Sequence, residues 1–162
     1  MKLKIRKAKK EDLKEIATIL KNESSKKPYN EKYTLTTALK EINNCAKDEL
    51  YIAINEKELI GFIASNITPD NRAKAYIKEL WLQPNYQRKG IGKNLVKFIE
   101  EKYKKKGVKI MRLVAKRNAK AFKFYKKLNY KEYKELVFME KKLKWKQKIF
   151  YLFADLIEPE VE

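Results

Sequence analysis

Residues 79–95 hold the residue types and spacing best suited to chemistry: Glu79, Leu80, Trp81 and Leu82, then Gln87, Arg88, Lys89, Gly90, Ile91, Gly92 and Lys93. A hydrophobic strand runs into a loop, and the loop opens an amphipathic helix. The first turn of a helix has backbone N–H groups without partners and the positive end of the dipole. Gly90 and Gly92 let backbone approach a ligand with no Cβ in the way. Arg88, Lys89 and Lys93 surround the loop with positive charge. In physical terms this is an anion site suited to phosphate.

Two familiar phosphate motifs fail here. A Walker loop needs Gly where Gln87 stands and Ser or Thr where Asn94 stands. A dinucleotide fingerprint needs a third Gly where Leu95 stands.

The elements that must position this loop follow from periodicity. Leu3 and Ile5 alternate with Lys and Arg, predicting a strand over residues 2–7. From the Asp12 cap region, Leu13, Ile16, Ala17, Ile19 and Leu20 follow at helical spacing. Residues 22–30 read as a loop, and Leu35, Leu39 and Ile42 as a second helix. Strands over 50–54 and 59–67 form a hairpin, and 75–82 is a fourth strand, ended by Pro84. A helix through Leu95, Val96, Phe98, Ile99 and Tyr103 stops at Gly107. A fifth strand is predicted over 108–115, a helix capped by Asn118 runs through Leu128, and a sixth strand covers 130–143. The order predicts one α/β (α+β) domain over residues 1–143, a mixed and mostly antiparallel sheet flanked by helices. Residues 144–162 read as an extra amphipathic C-terminal helix, packed on the domain or on a second copy in a homodimer; a membrane-surface helix is the alternative.

Charge is extreme: 40 Lys and Arg against 21 Asp and Glu, a net +19. Such a field attracts anions, so a nucleic-acid binder is the alternative reading. The lysines spread along the chain, however, without a stripe interleaved with base-stacking aromatics. No His and one cysteine, Cys45, leave no ligand set for zinc, no internal disulfide and no base to activate a nucleophile. The charged, alternating N-terminus does not resemble a signal segment, which places the chain in the cytoplasm.

Gln87-x-x-Gly90-x-Gly92 between a strand and a helix resembles the acetyl-CoA signature of the GNAT family, the Gcn5-related N-acetyltransferases. A second motif agrees: Asn118-x-x-Ala121-x-x-Phe124-Tyr125, followed by Leu128-Asn129-Tyr130. Asn129 stands where the family usually has Gly, and Asn tolerates the left-handed conformation that such a helix end requires.

The resemblance implies direct transfer of an acetyl group from acetyl-CoA to an amine within a ternary complex. Backbone N–H groups over residues 88–93 would hold the pyrophosphate. The edge of residues 80–82 would pair with the pantetheine amides, with the Leu82 N–H polarising the thioester carbonyl. Asn118 would contact the pantetheine arm. Glu79 matches a position where many members have an acidic general base, and Tyr125 matches the family's tyrosine acid. The acceptor is not legible: a protein N-terminus or lysine, a polyamine and other small amines all remain open. Glu23, Glu31, Glu41, Asp48 and Glu49 could line an acidic polyamine pocket, or be ordinary surface charges.

Overall fold

The computed structural model describes residues 2–141. Its strands are β1 (Leu3–Lys7), β2 (Glu49–Asn55), β3 (Glu58–Ile67), β4 (Lys74–Leu82) and β5 (Ile110–Arg112). Its helices are α1 (Leu13–Ser24), α2 (Leu35–Ala46), α3 (Ile91–Lys105) and α4 (Lys120–Lys127). Of these, residues 2–130 form one compact unit, and 131–141 belong to a second.

The sheet order is β1-β2-β3-β4-β5. The first three pairings are antiparallel and β4–β5 is parallel. This is the mixed, mostly antiparallel sheet that alternating hairpins followed by a strand–helix–strand unit predict.

Helices cover both faces. On one, Ile16 and Leu20 of α1 and Ala38 and Ile42 of α2 pack on Leu50, Ile52, Phe62 and Ala64. On the other, Leu95, Val96, Ile99 and Tyr103 of α3 pack on Ala53, Ile63, Ala75 and Ile77. β3 lies between both layers, and its residues 59–65 are all buried. A strand buried on both faces reads as a continuous apolar run, which is what Leu59 to Ala64 shows. Each polar group there needs a partner. Ser65 meets the Tyr103 hydroxyl at 3.0 Å inside the second layer.

Two expectations fail at the C-terminal side. β5 is three residues long rather than eight, with Leu113 and Ala115 only partly buried beyond it. Its ladder with β4 ends at Tyr76–Arg112, so nothing holds the next residues as a strand. The sixth strand does not form within residues 131–141. Its apolar residues fall at Tyr130, Tyr133 and Leu136 and then run unbroken to Met139, a pattern that gives no single sheet face. Tyr133, Leu136, Val137, Phe138 and Met139 are exposed. Residues 142–162, including the predicted C-terminal helix, lie outside the described part.

Gly61 stands opposite Leu82 in the ladder. A Cβ there would sit 2.3 Å from Leu82 Cδ2 and 2.6 Å from the Trp81 carbonyl oxygen. Gly61→Ala should therefore destabilise the protein by about 1–3 kcal/mol and push the end of β4 outward. A melt with unchanged midpoint would show that β4 already has slack there.

Candidate active site

The site grows from a defect in β4. Ala64 pairs with Glu79, but Ser65 pairs with Ile77, so Lys78 is an extra residue. Such a bulge bends a strand and re-aims its side chains. Before it, Ala75 and Ile77 face α3; after it, Leu80 and Leu82 do. Trp81 instead packs toward α1 and α2. Glu79 shares that side, where the Trp81 indole N–H donates to its Oε2.

Because β5 pairs only with Lys74–Tyr76, residues 77–82 of β4 have no strand partner on that flank among the described residues. The predicted pairing edge at 80–82 is thus unpaired among the described residues, as an edge that accepts an added strand must be.

At its end, β4 leads through a 3-10 turn at Pro84–Tyr86 into the loop before α3. Arg88 has φ 61° and Gly90 has φ 81°, both left-handed. Gly suits that region; Arg88 occupies it at a steric cost, as side chains near ligand loops often do. The Asn94 N–H bonds to the Gly90 carbonyl, which leaves the N–H groups of residues 91–93 before the helical ladder. Arg88, Lys89, Gly90 and Lys93 are exposed around them, and the Lys89 ammonium lies 5.5 Å from the centre of the Tyr86 ring.

Three residues of the predicted set also make contacts within the fold. Gly92 is buried, and a Cβ on it would meet Phe124 at 3.4 Å and Leu82 at 3.6 Å. Its smallness lets α3 approach β4 and α4, whereas Gly90 faces open space. The side chain of Ile91 is fully buried in the core. Gln87 turns its amide inward: Nε2 donates to the Leu82 carbonyl and to Glu23 Oε2, both at 3.1 Å.

Asn118 is not the cap of α4. Turns from Lys116 to Ala119 and from Ala119 to Phe122 start the helix later, with Ala119 at the cap position and no side-chain bond. Asn118 is exposed just ahead of it. The helix then ends as expected, with Asn129 at φ 66°.

Tyr125 is buried in α4, its ring 5.0 Å from that of Phe124 and 5.4 Å from that of Tyr130. Burial, reinforced by the nearby Tyr29 and Glu79, pushes its phenol well above the ordinary value. Burial also lifts the Glu79 carboxyl from 4.5 to about 7; the Trp81 bond opposes this, while the negative charges of Glu31 and Glu41 add to it. Cys45 is fully buried and its thiol is pushed up to about 12, chiefly by burial, so it is inert as a nucleophile.

Sequence reasoning named Glu31 in the loop between α1 and α2 but passed over the aromatics Tyr29 and Tyr33. Tyr29 packs edge-on against Trp81, centroids 4.9 Å apart, and Lys116 donates to the Pro28 and Tyr29 carbonyls. Tyr33 also responds to Glu31, Glu79 and Glu41, reaching about 12 mainly through burial. An aromatic beside Pro28, in a stretch otherwise polar, was the available signal.

The model of the acetyltransferase (GNAT) family matches residues 10–130, and the chain belongs to that family, whose members use acetyl-CoA as co-substrate. It is 38% identical over 105 residues to the spermidine N(1)-acetyltransferase of Thermoplasma acidophilum, a match over 62% of this chain and 63% of that enzyme. Its fold is similar to a possible acetyltransferase from Clostridium difficile 630, at 20% identity and TM-score 0.73, covering 88% of this chain and 99% of that one. It is also similar to AAC(6')-Iy in complex with the bisubstrate analog CoA-S-monomethyl-acetylneamine, at 18% identity and TM-score 0.70, covering 88% and 100%. Nothing in this fold or family supports the nucleic-acid alternative. Among the described residues no helix is long and apolar enough to cross a membrane.

Proposed function

We propose that this protein transfers the acetyl group of acetyl-CoA to a primary amine of a small polycationic acceptor of the polyamine class, in the cytoplasm. The observation that carries the reading is Glu79, a carboxyl that titrates near neutrality, one residue from an open strand edge that ends at an anion-binding loop. The acceptor class is supported by the spermidine-acetylating relative and by Glu31 and Glu41, whose charges reach Glu79. Local negative charge in a chain of net +19 favours a cation at that place.

Acetyl-CoA supplies an acetyl group activated as a thioester. The N–H groups of residues 88–93, with Arg88, Lys89 and Lys93, hold its pyrophosphate. Residues 80–82 align its pantetheine amides, and Asn118 contacts the same arm. An amine of pKa about 10.4 is mostly ammonium near neutrality. Glu79, once ionised, takes one proton from it, through a water. The freed nitrogen forms a C–N bond with the thioester carbonyl carbon as the Leu82 N–H steadies the developing oxyanion. Collapse breaks the C–S bond as the surplus proton on the new amide nitrogen leaves to solvent; the Tyr125 hydroxyl donates a hydrogen bond to the departing thiolate, which then takes its proton from solvent.

The test is thiol release from acetyl-CoA with spermidine, an aminoglycoside and a lysine peptide as acceptors. Release fastest with spermidine is expected; release with the peptide alone would overturn the acceptor class. Lys93→Glu separates the cofactor site from folding. An acid in the first helical turn complements the dipole, so the variant should melt no lower than wild type. Its affinity for acetyl-CoA should fall about tenfold or more, since a favourable charge becomes an opposing one. Unchanged affinity by calorimetric titration would mean that the loop does not hold the cofactor.

A further inference from the structure

Glu23 is 6% exposed at the end of α1. A carboxylate that far from water needs partners. It has two, on opposite oxygens. Lys26 Nζ donates to Oε1 at 2.6 Å, and Gln87 Nε2 donates to Oε2 at 3.1 Å.

Each partner leads to a different half of the site. Lys26 opens the loop that reaches over Glu79. The Lys26 carbonyl accepts from the Tyr29 and Asn30 N–H groups, and the Ser24 carbonyl accepts from the Glu31 N–H. Tyr29 then rests on Trp81, which holds Glu79. Gln87 leads the other way. Its amide nitrogen has two hydrogens; Glu23 takes one and the Leu82 carbonyl the other. No hydrogen remains on Gln87 Nε2 for a ligand. Gln87 therefore braces the turn between β4 and α3, and Glu23 is what it is braced against.

We propose that Glu23 is a positioning residue that couples the acceptor loop to the cofactor loop, setting Tyr29 and Glu31 on one side and Leu82 on the other from a single carboxylate. This rests on the reading of residues 80–93 as the acetyl-CoA site. Supporting groups of this kind commonly change function by an order of magnitude without touching a reactant. Shared partners also make their effects non-additive.

The experiment uses the full chain and compares Glu23→Ala, Glu23→Gln, Gln87→Ala and the Glu23→Ala/Gln87→Ala double variant. Acetyl-CoA affinity is read by titration, spermidine KM and kcat by thiol release, and folding by melting. Glu23→Ala should raise both the acetyl-CoA Kd and the spermidine KM about tenfold. Glu23→Gln keeps an oxygen for Gln87 but loses the charge that holds Lys26. It should leave acetyl-CoA Kd within about twofold and still raise the acceptor KM about fivefold. Adding Gln87→Ala to Glu23→Ala should change acetyl-CoA Kd no further. Equal small losses on both sides in Glu23→Gln, or additive losses in the double variant, would overturn the coupling. If Glu23→Ala does not fold, an unchanged acceptor KM in Glu23→Gln overturns it. Failure of the cofactor reading is separable: Lys93→Glu would then bind acetyl-CoA as well as wild type, whatever Glu23 does.

Discussion

Glu79→Gln should lower kcat/KM for the amine by about a hundredfold to ten-thousandfold, the range expected for a lost general base. The amide has the shape of the carboxyl and keeps an oxygen for the Trp81 indole, so the loss falls on proton transfer. The pH profile gives the sharper reading. Glu79 accepts a proton only when ionised, and burial holds its titration at about 7. Wild-type kcat/KM should rise tenfold per pH unit below 7 and flatten above it. In the variant that rising limb should vanish. A limb that persists at the same pH in Glu79→Gln would assign it to another group and remove Glu79 from the mechanism.

The same shift fixes the sign of a stability effect. The folded carboxyl titrates at about 7 against 4.5 in the absence of its surroundings. Below 4.5 both states are protonated and Glu79 contributes nothing pH-dependent. Between 4.5 and 7 the unfolded chain ionises first, so stability falls as pH rises. Above 7 the full penalty is present, about 3 kcal/mol for a shift of this size before relaxation of the site reduces it. Glu79→Gln should therefore melt several degrees above wild type at pH 8 and close to it at pH 4. A variant less stable at pH 8 would mean that the carboxylate is held by partners rather than strained by burial. Loss of activity together with a gain in stability is the signature of a functional carboxyl placed where folding alone would not put one.

How far this was legible differs from one residue to the next, for physical reasons. Local backbone chemistry reads well. Gly107 at φ 83° ends α3, and Asn129 at φ 66° ends α4, as their residue types predict. The helices and the hairpin of β2 and β3 follow from periodicity, because one face of each is buried. The family motifs place the loop before α3 and Tyr125 correctly on their elements. What fails is anything set by a partner distant in sequence. Gly92 looks like a glycine kept small for a ligand until Phe124 and Leu82 are seen where its Cβ would be. Gln87 looks like a ligand until Glu23, 64 residues earlier, takes its amide. The bulge at Lys78 leaves no local mark, yet it decides which face Glu79 meets. The shortness of β5 depends on where β4 diverges from it, and the missing strand within 131–141 on the absence of a face for its apolar run. Gly61 shows the same limit: only the ladder reveals that Leu82 lies against it.

Tyr125→Phe should reduce kcat about a hundredfold while leaving KM for both substrates within about threefold, as expected when a donor acts only in the transition state. Phenylalanine fills the same space against Phe124 and Tyr130, so packing is preserved and the melt should barely move. What is lost is one hydroxyl. Its role follows from its energetics. A thiol titrates near 8.5, while burial and the charges of Tyr29 and Glu79 hold the Tyr125 phenol far above 10. Complete transfer from such a phenol to a thiolate is uphill, so the useful act is a hydrogen bond to the sulfur as negative charge grows there. Ionisation of Tyr125 should correspondingly leave no falling limb in the pH profile below about 10, because the hydroxyl stays protonated throughout. The rising limb at 7 should survive in Tyr125→Phe, since Tyr125 is not among the groups that set the Glu79 carboxyl. If kcat is unchanged, the ring is there for packing, and the thiolate leaves without a hydrogen bond from Tyr125.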